Sequence, residues 1–591
     1  MKTLVLLSLI LAQVPYIETL EVSVHSVDVV VTDAQGKPVP GLTRDDFQIF
    51  EDGVEQRITN FSAFHGGPVS SRAESRDPLV PAGDASTALG MTPAAEAKRA
   101  PRKFIFYVDE MSLSSPVMKQ LETQLGKLID TTMEPGDEAM ILRPAEEKKL
   151  TAPFSGDRAA VRKALLETIR DERWRADAPI LRELRLLENE MRGVSSHISA
   201  RIAARRWAGL VRARVQQRLG HLNAVVNGAS GIEGRKVLVL VAESLPVEPG
   251  KEAFTAYSDV VSVEANQGGD PTAVGGGDAF ADWTTTTSYE SNVDWVSLKP
   301  LVNEIARSAS TNGITIYTIQ PEYGLDLLLP GGNIGATTPG RDAGSAQQQR
   351  SRPASSARLT AVGMTKFVEH MSTNTENALR PLAELTGGTW QRGGVRADNL
   401  VNAITSDVQS YYSLGYRAGE DVDRPHRLEV RVKGRPELRV RTRQEVLRKS
   451  PEREMTDRVV ASLLVPPATN EMNIRLESKQ TGVAPDRQYK TVMVAARVPL
   501  SALTFLPEGD KLKARFTVHY AVSGQDTDFV SGVHGTQVVE VPADKFEEVK
   551  SQNWTYVVPF NLRPAKHSVA IGVLDSLSNM SGFSRIDLDL R

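Results

Sequence analysis

The sequence predicts an α/β fold: a doubly wound, mostly parallel sheet flanked by β-sandwich modules. Three observations carry that expectation. Short continuous apolar runs at residues 104–108, 139–142 and 237–241 read as buried strands, and Ile314-Thr315-Ile316-Tyr317-Thr318-Ile319 as a further one. Between them, apolar residues recur at helical spacing, as at Val117, Leu121, Leu125 and Leu128. On either side of this region the hydrophobic period becomes two. A chain of 591 residues holds about three to five domains at ordinary domain size.

From the N-terminus, Met1-Lys2 precedes an apolar run from Leu4 to Ala12, the layout of a secretory signal. Residues 1–15 are therefore expected to direct export, and the run is far shorter than the ~20 residues a spanning helix needs. No later segment is long and apolar enough to span a bilayer, so a secreted or periplasmic protein is expected. Residues 16–66 form an N-terminal β segment. Leu20, Val22 and Val24, then Val27, Val29 and Val31, alternate with polar neighbours, and turns fall at Asp33-Ala34-Gln35-Gly36 and Asp52-Gly53. Residues 67–101, rich in Pro, Ala, Ser and Gly, read as a linker.

The α/β domain is expected over residues 102–418, with helices at 115–128, 159–169, on to about Val226, and at 295–308, 378–385 and 397–408. Gly-, Thr-, Ser- and Gln-rich stretches at 264–292 and 325–375 read as mobile insertions. Residues 419–448 read as a β-hairpin, from the alternation of Leu428, Val430 and Val432, then Leu438 and Val440. Neither this hairpin nor residues 20–64 has strands enough for a core of its own, so the two are expected to combine. A charged linker at 449–457 leads to a C-terminal β-sandwich over 458–591, where Leu512, Ala514, Phe516, Val518 and Tyr520 alternate without a break.

In doubly wound sheets, ligands meet the loops at the carboxyl ends of the parallel strands. The first such loop is Asp109-Glu110-Met111-Ser112-Leu113-Ser114, just before a helix start at Ser115-Pro116. At this point the chain resembles the von Willebrand factor A domain, whose metal-ion-dependent adhesion site begins Asp-x-Ser-x-Ser. The layout as a whole is similar to the secreted VWFA-related proteins described from acidobacteria. The matching residues include 27–33, 41–47, Phe50-Glu51-Asp52-Gly53, Gly234-Arg235-Lys236, Leu385-Thr386-Gly387-Gly388 and Tyr411-Tyr412-Ser413-Leu414-Gly415-Tyr416.

The resemblance implies a divalent-cation site, but the pattern departs from the family's. The spacing fits Glu110-x-Ser112-x-Ser114, with Glu in place of Asp, so the adhesion site is degenerate. A separate Thr has no clear counterpart, and Glu243 stands where the family carries an Asp. The candidate ligands are Asp109, Glu110, Ser112, Ser114 and Glu243, oxygen donors suited to weak Mg2+ binding. Serines that merely cap the following helix are the other reading of this loop.

Other chemistry finds little support. Cys 0 excludes disulfides and thiolate sites, and the nine His are scattered without ligand spacing. Ser244 lacks both glycines of a nucleophile elbow, and no phosphate-binding Gly-Lys loop is present. A net charge of -3 offers no field for nucleic acid. Arg201, Arg205, Arg206, Arg212, Arg214 and Arg218 read as the solvated face of a helix buried through Leu210, Val211, Val215, Leu219 and Leu222. The expected function is therefore a non-enzymatic, exported adhesion or assembly protein. It would present strand-end loops to a protein ligand in the cell envelope or extracellular space. A metal-free structural scaffold is the alternative, and a hydrolase a remote one.

Overall fold

The structure is a computed structural model. It describes residues 24–65, 101–109, 112–113, 115–142, 150–170, 197–251, 297–321, 361–393, 398–417, 421–465, 470–483, 489–523 and 529–591, with Gly419 and Pro467. The expected signal segment 1–15, residues 67–100 of the expected linker and the expected insertion 264–292 lie outside the described residues.

Four strands open the fold: β1 (Val24–Thr32), β2 (Phe47–Glu51), β3 (Val54–Gln56) and β4 (Ile58–Phe64). Asp52 and Gly53 turn β2 into β3 with φ of 49° and 84°, the left-handed pair that a tight hairpin requires. The central sheet follows as β5 (Arg102–Val108), β6 (Glu138–Leu142), β7 (Leu150–Ser155), β8 (Arg235–Val241), β9 (Ile314–Pro321) and β10 (Trp390–Gly393). Its order is β7-β6-β5-β8-β9-β10, parallel throughout except for edge strand β7. This is the doubly wound arrangement, with its topological switch beside β5.

Alternation along β5 sends side chains to two separate cores. Phe104, Phe106 and Val108 pack with α1 (Ser115–Thr132), α2 (Arg158–Arg170) and, further along the chain, helix Asp398–Gln409. Ile105 and Tyr107 face α3 (His197–Gly228), α4 (Lys299–Thr311) and α5 (Ala361–Glu384). The Asp398–Gln409 helix is α6. Arg102, fully buried where the chain enters β5, donates to Asp137 and to the Thr132 and Val408 carbonyls, tying the ends of α1 and α6 to the sheet.

Helix α5 begins inside the stretch expected to be an insertion at 325–375. Met371, Thr375, Ala378, Leu379 and Leu382 are buried at helical spacing. The polar run Ser372-Thr373-Asn374-Thr375 hides that stripe in the sequence. Thr375 earns its buried place by accepting the Leu245 N–H at 3.0 Å.

Beyond α6 the chain re-enters the N-terminal unit as β11 (Tyr411–Arg417), β12 (Pro425–Val432), β13 (Arg439–Arg441) and β14 (Glu445–Leu447). Two four-stranded sheets result, β13-β1-β11-β4 and β14-β12-β2-β3, around one core that includes Val29, Ile49, Leu414 and Val430. The segment 419–448 joins the N-terminal β segment as expected, but 428–432 and 438–440 do not pair with each other. β12 pairs with β2 and β14, while β13 crosses to pair with β1 in the other sheet. An alternating strand needs its apolar face covered, and either sheet of the unit can do that; alternation does not name the partner.

The expected linker at 449–457 is instead the start of helix α7 (Pro451–Leu464). Ser450 caps it by accepting the Arg453 N–H, Pro451 takes the first turn, and Glu452 and Glu454 face the helix dipole there. Two further sheets follow, and the helix packs on the second of them, against Ala521, Ala570, Leu574 and Phe583. The first is β15 (Arg475–Val483), β16 (Lys490–Pro499) and β20 (Asn553–Leu562). The second joins β17 (Phe505–Glu508), β18 (Lys511–Ser523), β19 (Phe529–Pro542), β21 (Lys566–Asp575) and β22 (Ser581–Asp589). The same helix packs on the end of α3 and the turn after it: a Cβ on Gly228 would fall 2.6 Å from Leu464 Cδ1, and one on Gly231 2.3 Å from the Asp457 carbonyl carbon. Only a residue without a side chain permits that approach.

Candidate functional site

The carboxyl edge of the central sheet gathers the ends of β5 and β8. Asp109 extends β5 by donating its N–H to the Val241 carbonyl at 2.9 Å. Ser112 folds back over it, its N–H and its hydroxyl both donating to the Asp109 carbonyl, at 3.0 and 2.9 Å. The Ser112 Oγ in turn accepts the Glu243 N–H at 3.2 Å. The loop after β5 is thereby stitched to the loop after β8. Asp109, Ser112, Glu243 and Ser244 are all buried.

The cation at this site belongs to the chain itself. Arg218, on α3, donates from Nε to Asp109 Oδ2 at 2.9 Å and Oδ1 at 3.2 Å, and from Nη2 to Asp109 Oδ2 and to the Ser244 carbonyl. Its side chain is almost wholly enclosed, with the residue 9% exposed and Asp109 2%. A guanidinium clamps a carboxylate through such a fork more firmly than a lysine ammonium would.

Of the five candidate ligands, the structure brings Asp109, Ser112 and Glu243 together at one edge. Glu110 and Ser114 lie outside the described residues. Among the described residues, no group of three or more His, Asp or Glu is placed to share a metal ion. Nor do the described residues fit a dication as they are arranged. Both Asp109 oxygens are taken by Arg218, and a 2+ charge about 4 Å from a guanidinium meets a repulsion of roughly 8 kcal/mol at an effective dielectric of 20.

Arg218 is the residue that sequence reasoning missed. Its place among six arginines suggested a solvated face, and Arg205, Arg206 and Arg214 are indeed exposed. The spacing held the signal. Arg218 stands seven residues after Val211 and three after Val215, on the stripe that faces the sheet, whereas Leu210, expected to be buried, is 55% exposed. A lone arginine on an apolar stripe calls for a buried carboxylate, and Asp109 is that partner.

The fold and site together define a doubly wound α/β domain whose strand-end acid is neutralised by an internal arginine. No protein-family model matches the chain, and no curated protein matches it either. Among solved structures it is similar to the conserved hypothetical protein BatB from Bacteroides thetaiotaomicron, at 10% identity over 52% of this chain and 97% of that one, with a TM-score of 0.19. It is similar to an aerotolerance-related membrane protein from Bacteroides fragilis, at 12% identity over 52% and 98%, TM-score 0.20. It is also similar to the vWF domain of the type V pili tip protein Mfa5 from Porphyromonas gingivalis, at 14% identity over 56% and 100%, TM-score 0.21. Likenesses at these scores carry no weight; the doubly wound architecture rests on strand order and register.

Proposed function

We propose that the chain is an exported, non-enzymatic adhesion or assembly protein of the von Willebrand factor A type. Its strand-end loops meet a protein partner without a bridging metal. The observation that supports this reading is the Arg218–Asp109 pair. It fills with a fixed guanidinium the charge that the degenerate adhesion motif would otherwise assign to Mg2+. Contact with the partner then rests on loop shape and side chains rather than on a coordination bond. The buried Ser244, whose hydroxyl has no hydrogen-bond partner among the described residues, sits too deep to attack a substrate.

The test is calorimetric titration of the full chain with Mg2+ and Mn2+. The metal-free reading expects no saturable heat at millimolar ion. Saturable binding that disappears in Asp109→Asn would overturn it and restore a metal-dependent contact.

A further inference from the structure

The opposite end of the central sheet holds a second polar enclosure, independent of the strand-end reading. It lies where the N-terminal β unit rests on the amino ends of β8 and β9, and its volume is about 440 Å³. That is within the ~300–1,000 Å³ range of small-molecule sites, which favour such junctions between domains.

Cations line it from both sides: Arg235 and Lys236 from β8, Arg441 and Arg443 from the end of β13 and just beyond. Two of the four have carboxylates. Arg235 Nε lies 2.9 Å from Asp28 Oδ2, and its guanidinium stacks 3.7 Å from the centre of the Tyr411 ring. Arg441 is clamped by both oxygens of Asp407 at 2.6 Å. The other two have only carbonyls among the described residues. Lys236 Nζ donates to Ile232 at 2.9 Å, and Arg443 Nη2 donates to Ser26 at 2.7 Å.

Donors are left over as well. Arg443 Nε and the Tyr317 hydroxyl are covered and have no hydrogen-bond partner among the described residues. Burial, with Lys449 and Arg443 close by, pushes Lys236 down to about 8 against a partial pull from Asp457, and burial pushes Arg443 down too. For Arg443, burial outweighs the opposing pull of Asp28 and Tyr416. The backbone makes room for these cations. Gly313 and Gly387 hold φ of 64° and 83°. A Cβ on Gly313 would come within 3.2 Å of Arg443 Nη1, and one on Gly387 within 2.7 Å of the Thr442 carbonyl carbon. A buried lysine whose ammonium hydrogen-bonds only a carbonyl, and a covered guanidinium donor left unused, are costly unless a ligand satisfies them.

We propose that this enclosure binds a small tetrahedral oxyanion, a phosphate or sulfate group, either as the free ion or as the end of a small molecule. Arg443 and Lys236 supply the charge, and the unused Arg443 Nε–H donates a hydrogen bond. The bound anion bridges the N-terminal β unit to the sheet and holds the two together.

The test uses the full chain, with calorimetry and thermal melts in inorganic phosphate, in sulfate and in glycerol 3-phosphate, each against sodium chloride at equal ionic strength. Phosphate or sulfate should bind saturably and raise the melting temperature above the chloride control. Lys236→Met and Arg443→Gln should each weaken that binding at least about tenfold. Lys236→Met removes a buried charge at similar volume, so in chloride it should melt no lower than wild type, which separates lost binding from lost fold. Tighter binding of glycerol 3-phosphate than of phosphate identifies an end group, and equal or weaker binding identifies the free ion; either supports the site. The proposal is overturned if phosphate and sulfate act no differently from chloride. It is also overturned if folded Lys236→Met binds phosphate within about twofold of wild type.

Discussion

Replacing Arg218 by Met keeps most of the stem's packing on the sheet and removes the guanidinium alone. Asp109, 2% exposed, then loses the donors at 2.9 and 3.2 Å that hold its charge. The Ser244 carbonyl loses its donor at the same stroke. Breaking one side of a buried ion pair costs about 3–5 kcal/mol, because the remaining charge is stranded. In a domain of this size each kcal/mol moves the midpoint by ~2–4 °C, so a fall of roughly 6–20 °C is expected in the α/β transition. Asp109→Asn combined with Arg218→Met leaves a neutral site and should recover most of the loss. Scanning calorimetry on the four members of this cycle gives the coupling, expected at about 2 kcal/mol or more. A single Arg218→Met variant melting within about 2 °C of wild type would show that Asp109 does not depend on Arg218, and the reasoning would fail.

Three further outcomes follow from the packing. Gly231→Ala drives a Cβ into the Asp457 backbone and should lift α7 from the turn that follows α3, so trypsin should cut near Lys449 and Arg453 faster than in wild type; an unchanged digestion rate would contradict the close approach. Tyr412→Phe loses the hydroxyl that donates to Val39 and accepts from Leu42, at 2.7 and 3.2 Å, and should destabilise the N-terminal β unit by about 1–3 kcal/mol in a denaturant melt, whereas no change would deny that link between the segments before and after the α/β domain. His519 is buried between Thr456 and Thr517, and burial pulls it down to about 4. Its native pKa lies below the unfolded value, so its contribution is full above pH ~6.5 and is lost as pH falls toward 4, about 3 kcal/mol in all. The stability advantage of wild type over His519→Gln should shrink across that window, and a gap independent of pH would refute it.

The parts of the fold legible in the sequence are those where one residue type repeats at one period. The continuous apolar runs became β5, β6 and β8 because a doubly covered strand is mostly apolar, and 314–319 became β9, whose buried Thr318 donates to the Leu379 carbonyl. Edge strand β7, antiparallel and partly polar, carried no such signature. Helix α7 was hidden by its charge, although Ser450-Pro451 is the same start signal that was recognised at Ser115-Pro116. The candidate site was half legible. Asp109 and Ser112 follow from position at a strand end, and Glu243 from position after β8. Arg218 lies 109 residues from its partner, and a pairing over that distance is written only in the tertiary fold.

The paired glycines at Gly387-Gly388 could be quoted from the sequence but not explained there. A Cβ on Gly388 would lie 2.0 Å from the Ile316 carbonyl oxygen, so glycine is required where β10 joins β9. Thr386 beside it is buried and accepts the Ile316 N–H at 2.9 Å. Those residues serve the junction between the sheet and the N-terminal β unit, at the opposite end from the strand-end loops.

The most direct measurement is a crystal structure of the full chain grown with Mn2+, using the metal's anomalous signal to locate it. With Arg218 as the resident cation, the map should show its guanidinium forked on Asp109 and no manganese peak at the carboxyl edge of the sheet. A peak bonded to Asp109 at about 2.1–2.2 Å, with Arg218 swung away, would contradict the assignment.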